Sequence, residues 1–306
     1  MRFIFKTNYD QDINIVRHNG DRISYGLLVA AMIIMPFFID DFYLGELSYV
    51  FILAIAGIGL MILSGYTGLA SLGHAAFLGV GAYTHAFLLT NGIPFYYSII
   101  IAVVVSFFVG AAIGFPILRL TGMYLAIATL AFGFIAEHVF IRWEHFTGGN
   151  RGMVVPTPEF AGISFYDSST FYYVCLISLI VSMFAAINIL RSPTGRAFVA
   201  IRDSEIAAQS LGVNIARYKA LSFAISAGFT GLAGALLAHY IGYLAPDIFN
   251  IFLSLTLLLL IVVGGMGSLH GTIYGAIFVG SLPQMIAIGR DYLPSSIGSQ
   301  PGLEPL

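Results

Sequence analysis

The sequence predicts an all-α, polytopic membrane protein of about nine spans with its N-terminus in the cytoplasm. Three observations carry that prediction: the scarcity of charge, the length of the apolar runs, and the placement of the basic residues. Of 306 residues, 58% are hydrophobic and only 9% charged, and mean hydropathy is +0.92. A typical soluble domain carries about 25% charged residues. A chain this poor in charge cannot cover a water-facing surface and must show apolar side chains to lipid. The apolar runs are continuous and lack the alternation of a membrane β-barrel, so helices are expected.

Runs of spanning length, about 20 residues, fall at 24–43, 46–64, 70–90, 94–118, 121–141, 171–190, 219–244, 249–264 and 268–289. Residues 1–23 form a polar segment with Arg2, Lys6, Arg17 and Arg22. The run after it is too long for a cleavable signal peptide, so the first helix is expected to serve as its own insertion signal. Arg191, Arg196, Arg202, Arg217 and Lys219 cluster at 191–218 and its edge, after the sixth run. Basic loops stay cytoplasmic. Both clusters then lie inside, separated by an even number of crossings, and Arg119 after the fourth run falls on the same side. The membrane-embedded body spans 24–290. Residues 142–170, with Trp143, Tyr166 and two prolines, are expected as a folded external loop, against which Arg142 and Arg151 run counter to the charge bias. Residues 291–306 read as an external tail rich in Ser, Gly and Pro. The single cysteine, Cys175, lies in an apolar run and is expected only to pack; no disulfide or multi-Cys metal site can form within one chain.

The most informative loop follows the sixth run. Asp203 or Ser204 is a good N-cap, Glu205 suits the positive end of a helix, Ala207 and Ala208 favour helix, and Gly212 is a natural stop. The result is a short exposed helix between two membrane helices. A helix that small is not stable alone and needs a surface to dock on.

This pattern, Glu205-x-Ala207-Ala208-x-x-x-Gly212, resembles the coupling loop of ABC-importer permeases, whose helix rests in a groove of the ATPase subunit. Further resemblances run along the chain in order. Gly65-Tyr66-Thr67-Gly68-Leu69-Ala70-Ser71-Leu72-Gly73-His74, continuing to Gly79, Gly81 and Tyr83, looks like the glycine-rich segment of branched-chain amino-acid permeases of the LivH/LivM type. Gly122-Met123-Tyr124 through Phe132-Gly133, then Thr147-Gly148-Gly149-x-x-Gly152, is similar to the LivM branch. Gly264-Gly265-Met266-Gly267-Ser268-x-x-Gly271 matches a late family motif. The family commonly carries Glu directly after the Phe-Gly pair. This chain has Phe134 there and Glu137 one helical turn later. Members also usually end with one more apolar helix, so the resemblance implies that a tenth helix is missing at the C-terminus.

The glycine segments have a physical meaning of their own. Gly264, Gly265, Gly267, Gly271 and Gly275 are expected to break or closely pack helices. Around Gly65, Tyr66, Thr67, Gly68 and Ser71, polar and small residues crowd beside an apolar run, which favours a helix break. Unwound backbone in a membrane is tolerated only inside protein or beside a watery cavity, and transporters place substrate sites at such breaks. Freed N–H groups and the hydroxyls of Thr67 and Ser71 are candidates to meet a carboxylate. Ionisable groups within spans, His74, His85, Glu137, His138 and His239, are costly there and often functional. Of these, Glu137 and His74 are taken as pathway candidates, and His270 as a cap or packing group.

No Gly-x-x-x-x-Gly-Lys-Ser/Thr loop, His-Glu-x-x-His motif or Gly-x-Ser-x-Gly elbow occurs, so no catalytic residue, bound metal or nucleic-acid partner is expected. The resemblance implies a transport subunit of the inner membrane. It would work with a second permease chain in a hetero-dimer, two ATPase subunits that hold ATP and Mg, and a solute-binding protein. It implies branched-chain amino acids as substrates, with other amino acids, urea and short amides taken by related systems. The alternatives are a secondary transporter driven by an ion gradient, which calls for more paired intramembrane carboxylates, and a channel or scaffold.

Overall fold

The computed structural model describes residues 19–117, 120, 122–157, 159–160, 163–164 and 168–291. Arg2, Lys6, Arg17, Arg119, Tyr166 and the expected tail beyond 291 lie outside the described residues. The chain divides into two compact units, Met1–Leu44 and Gly45–Leu306.

In the first unit, α1 (Asn19–Ile34) runs into a 3-10 turn, Met35–Phe37, before α2 begins at Asp41. The expected span 24–43 is therefore not one helix. Pro36 has no N–H to continue an α-helical ladder, and the Phe38 N–H closes instead on Met35 O at 3.1 Å.

Each remaining apolar run contains one helix. These are α2 (Asp41–Leu60), α3 (His74–Thr90), α4 (Phe95–Ile117), α5 (Met123–Arg142), α7 (Ser168–Arg191), α10 (Ile215–Ile241), α11 (Ile251–Gly264) and α12 (Leu269–Asp291). Short helices intervene: α6 (Glu144–Thr147), α8 (Pro193–Asp203) and α9 (Glu205–Ser210). Among the described residues, five helices are long and apolar enough to cross a membrane: α2 with its extension to Tyr66, α4, α5, α7 and α10. Their burial separates inside from outside. The apolar windows of α2 and α10 are 83% and 72% buried, whereas those of α4, α5 and α7 are 22–28% buried. The first two, with the largely buried α3, form the core of the second unit, and the other three turn apolar side chains outward, as lipid requires.

Small residues set the core spacing. A Cβ at Gly81 would stand 2.2 Å from the Gly231 carbonyl oxygen, and one at Gly234 would stand 2.0 Å from that of Leu78. Backbone thus meets backbone between α3 and α10. The α11–α12 hairpin is closed the same way: a Cβ added at Gly264 or Gly271 would stand 2.0 Å from the other's carbonyl oxygen, and one at Gly275 would stand 2.0 Å from that of Leu260. Gly267, expected in this packing stripe, sits instead in the connecting turn. There it and Gly265 take φ of +93° and +95°, a region that disfavours side chains.

Among the described residues, strands are confined to two-residue ladders. Met153–Val154 (β1) pairs antiparallel with Tyr243–Leu244 (β4), and Glu159–Phe160 (β2) with Ile163–Ser164 (β3). The first ladder joins the connection after α5 to the connection after α10, so both lie at one end of the second unit. Gly148, Gly149 and Gly152 have φ of +77°, +60° and +66°, which accounts for the glycine spacing of that motif.

Candidate functional site

The site is built around the end of α2. Over Met61–Tyr66 the helix widens to π geometry, and residues 67–73 carry no helix. The widened turn moves the hydrogen bonds out of register: the Thr67 N–H closes on Ile62 O at 3.2 Å and the Leu69 N–H on Leu63 O at 3.1 Å. Such turns recur at functional sites. Gly68, at φ +76°, reverses the chain. Leu63 and Leu69, on either side of the break, pack with Leu125 and Phe223 in a buried apolar cluster.

The returning segment climbs back inside the second unit rather than along its surface. Leu72 N–H donates to Thr129 Oγ1 of α5 at 3.0 Å. Gly73 abuts Thr129 so closely that a Cβ would lie 2.0 Å from the Thr129 carbonyl oxygen. α3 then starts at fully buried His74. Its Nε2 is 2.8 Å from Ser226 Oγ, which lies about 16 Å along α10 from Ile215 at 1.5 Å per residue. Ser226 gives its one hydroxyl proton to Gly59 O at 2.6 Å, so it must accept from His74. Nε2 is therefore a protonated nitrogen of the imidazole, and Nδ1 lies 3.3 Å from Ser71 Oγ. The Ala75 N–H is taken by Ser254 Oγ of α11 at 2.9 Å. A half-helix thus begins deep in the bundle with its first donors held by α5 and α11.

Beside this start is a narrow recess of about 10 Å³, room for about one water, lined by Leu72, Ala76, Gly133, Phe134, Glu137 and Ser254, among others. Glu137 is half-buried there. Asn250, which also lines it, caps α11 by accepting from the Phe252 and Leu253 N–H groups. Phe249 lines it too, and meets Tyr83 and Phe140 edge-to-face at ring separations of 5.6 and 6.1 Å.

The expected site residues separate accordingly. Thr67 and Ser71 are buried, and their hydroxyls are committed, to Ile62 O at 2.9 Å and to His74. His74 locks α3 to α10. Glu137 alone of the ionisable candidates lines the recess. His85 and His239 meet each other, Nε2 to Nε2, at 2.7 Å, while His138 and His270 are exposed. Tyr66 lies within hydrogen-bonding reach of the Leu269 backbone, and Gly65 is pressed against the Gly267 N–H.

At the opposite end of the unit from the β1–β4 ladder, α8 and α9 form a hairpin. Ser204 is the N-cap of α9, its hydroxyl accepting from Ala207 N at 3.3 Å. Asp203 closes α8 instead and pairs with Arg202 at 3.1 Å. Gly212, at φ +84°, ends the turn after α9. Ala208 is buried, whereas Ile206 and Leu211 are 81% and 83% exposed. Glu205 pairs with Lys219 Nζ at 2.6 Å, and the lysine side chain is only 3% exposed.

Several of these groups escape reasoning from sequence. α8 had a readable signal in Ser192-Pro193, a cap followed by proline in the first turn. The roles of Arg202, Lys219, Thr129, Ser226 and Ser254 had none, because each depends on a partner far away in the chain.

Residues 42–295 match the family described as branched-chain amino acid transport system, permease component. The chain is 34% identical over 290 residues to the high-affinity branched-chain amino acid transport system permease proteins LivM of Salmonella typhimurium and Escherichia coli, covering 85% of this chain and 68% of each relative. It is 24% identical over 289 residues to the autoinducer 2 import system permease protein LsrC of Escherichia coli, covering 89% of this chain and 81% of that one. No solved structure matches it. The chain therefore belongs to the branched-chain amino-acid permease family of the LivM type: it is a multi-pass inner-membrane permease component of an ABC importer that works with other transporter subunits, and it is not itself an enzyme.

Proposed function

We propose that this chain passes branched-chain or closely related amino acids across the membrane by alternating access. ATP and Mg are held and used by two separate ATPase subunits, a second permease of the same family completes the pore, and a solute-binding protein delivers substrate. The observation that carries this reading is the α8–α9 hairpin. It raises Ile206 and Leu211 into solvent on either side of a capped helix too short to stand alone. Exposed aliphatic side chains on a rigid turn suit insertion into a groove of an ATPase subunit.

The substrate class is supported by the recess. Leu72, Ala76 and Phe134 suit an aliphatic side chain, and the Glu137 carboxylate suits an ammonium group. The relatives named for branched-chain amino acids are also more similar than those named for autoinducer 2. ATP must bind the two states of the importer unequally for its hydrolysis to drive the cycle.

The test is uptake by the complex reconstituted in proteoliposomes, offered labelled leucine, glutamate and urea. ATP-dependent leucine uptake is expected, reduced about tenfold or more in Glu137→Gln, the scale of one charge-assisted contact. Glu205→Lys, or a bulky residue at Gly212, is expected to stop transport while membrane insertion is retained. Leucine uptake driven by an ion gradient in the absence of ATPase subunits would establish the secondary-transporter reading instead.

A further inference from the structure

We propose that Arg202 is a positioning residue that ties the cytoplasm-facing hairpin to both helix breaks, so that displacement of the hairpin moves the α2–α3 break and the α11–α12 turn together. The inference rests on the coupling role given to the hairpin above. Arg202 occupies the last turn of α8, immediately before the Asp203–Ser204 junction with α9. Its Nη1 donates to the Gly65 carbonyl at 3.1 Å, and its Nε and Nη2 donate to Asp203 Oδ1 at 3.2 and 3.1 Å. One planar guanidinium thus spans the hairpin and the end of α2.

The Gly65 carbonyl lies where that bond has a physical reason. The last carbonyls of a helix have no intrahelical partner and carry its negative end, which favours a cation. The widened Met61–Tyr66 turn leaves such carbonyls at the break, and the arginine supplies donor and charge at once. By contrast Arg196, also on α8, turns back to the carbonyl of Arg191 at 3.1 Å and ties nothing distant.

Two more glycines give the arginine its room. A Cβ at Gly68 would stand 3.0 Å from Arg202 Cγ and 3.4 Å from its Cα, so the aliphatic stem lies directly on the reversal of the break. A Cβ at Gly267, in the α11–α12 turn, would be 3.6 Å from Nη1. That turn is joined to the break independently, since the Gly267 N–H reaches Met61 Sδ at 3.2 Å and Gly65 abuts Gly267 N. Hairpin, break and turn therefore meet at one side chain. α3 and α11, which follow the break and precede the turn, are the helices whose Ala76 and Ser254 line the recess. A shift of α8 would reach the recess walls through this junction.

The experiment measures leucine uptake and ATP hydrolysis together in the full reconstituted complex, reported as substrate moved per ATP. Arg202→Ala is expected to lower that ratio about tenfold or more, the factor for losing one hydrogen bond from a charged donor, with the ATPase subunits still bound. Arg202→Lys, which keeps one charged donor, is expected to restore part of it. Gly68→Ala approaches the same contact from the other side, displacing the arginine while keeping its charge, and is expected to lower the ratio as well. Arg196→Ala is expected to leave it unchanged. A wild-type ratio in both Arg202→Ala and Gly68→Ala would overturn the proposal. So would uptake and hydrolysis falling in parallel as ATPase subunits dissociate, which would make Arg202 a docking residue. Glu205→Lys, run alongside, separates the two levels: if it too keeps the wild-type ratio, the coupling role of the hairpin fails, and if only the Arg202 and Gly68 variants do, this inference fails alone.

Discussion

Replacing Glu205 by Gln should loosen the α9 hairpin, and the structure sets the size of the effect. Lys219 Nζ stands 2.6 Å from Glu205 Oε1, with the lysine side chain 3% exposed and the glutamate 41% exposed. Removing one partner of a fully buried pair costs about 3–5 kcal/mol because the other charge is left uncompensated. An exposed pair is worth about 0–1 kcal/mol. This pair has one end of each kind, so the cost should fall at about 1–3 kcal/mol, discounted for water at the glutamate. α9 is only six residues long and cannot hold itself, so the loss should appear as local opening rather than global unfolding. At 1.36 kcal/mol per factor of ten, amide hydrogen-exchange protection over 204–213 should drop by about 5- to 150-fold in the purified protein. Lys219→Met removes the buried charge along with its need for a partner, and should leave protection unchanged or raised. Wild-type protection in Glu205→Gln would refute the reasoning. An equal loss in Lys219→Met would do so too, because the pair would then act by direct attraction and not through the stranded lysine.

Two further predictions concern the scaffold. Gly271→Ala places a Cβ 2.0 Å from the Gly264 carbonyl oxygen and should destabilise the α11–α12 hairpin by about 1–3 kcal/mol through overpacking; a thermal melt in detergent matching wild type would count against that close approach. Thr129→Val keeps the shape but strands the Leu72 N–H now held at 3.0 Å, a loss of about 1–3 kcal/mol. Limited proteolysis within 67–73 should accelerate, and an unchanged cleavage pattern would show that the break is held by other contacts.

The cap and stop of α9 were readable because they are local. Ser204, Glu205 and Gly212 act within one or two turns of chain, and the backbone chemistry of helix ends needs nothing else. The choice between Asp203 and Ser204 as cap was not local, since Asp203 belongs to α8 and to Arg202. The interruption after α2 was likewise visible in its crowding of Gly, Thr and Ser. What fills it was not, and the hydroxyls of Thr67 and Ser71, natural candidates for a ligand, turn inward.

Taken alone, the sequence determined that this chain lives in lipid as a bundle of helices, where those helices break, and which loop carries a short capped helix. Each of these depends on hydrophobic length or on residues close together in the chain. Only the tertiary structure decided that α2, α3 and α10 are the buried helices, that Glu137 rather than Thr67 lines the recess, and that Arg202 meets Gly65 from across the fold. In an apolar chain nearly every helix is hydrophobic all round, so no stripe marks the face that packs. Partners are then selected by small residues and a few polar groups brought together from distant positions, and their pairing exists only once the backbone has folded.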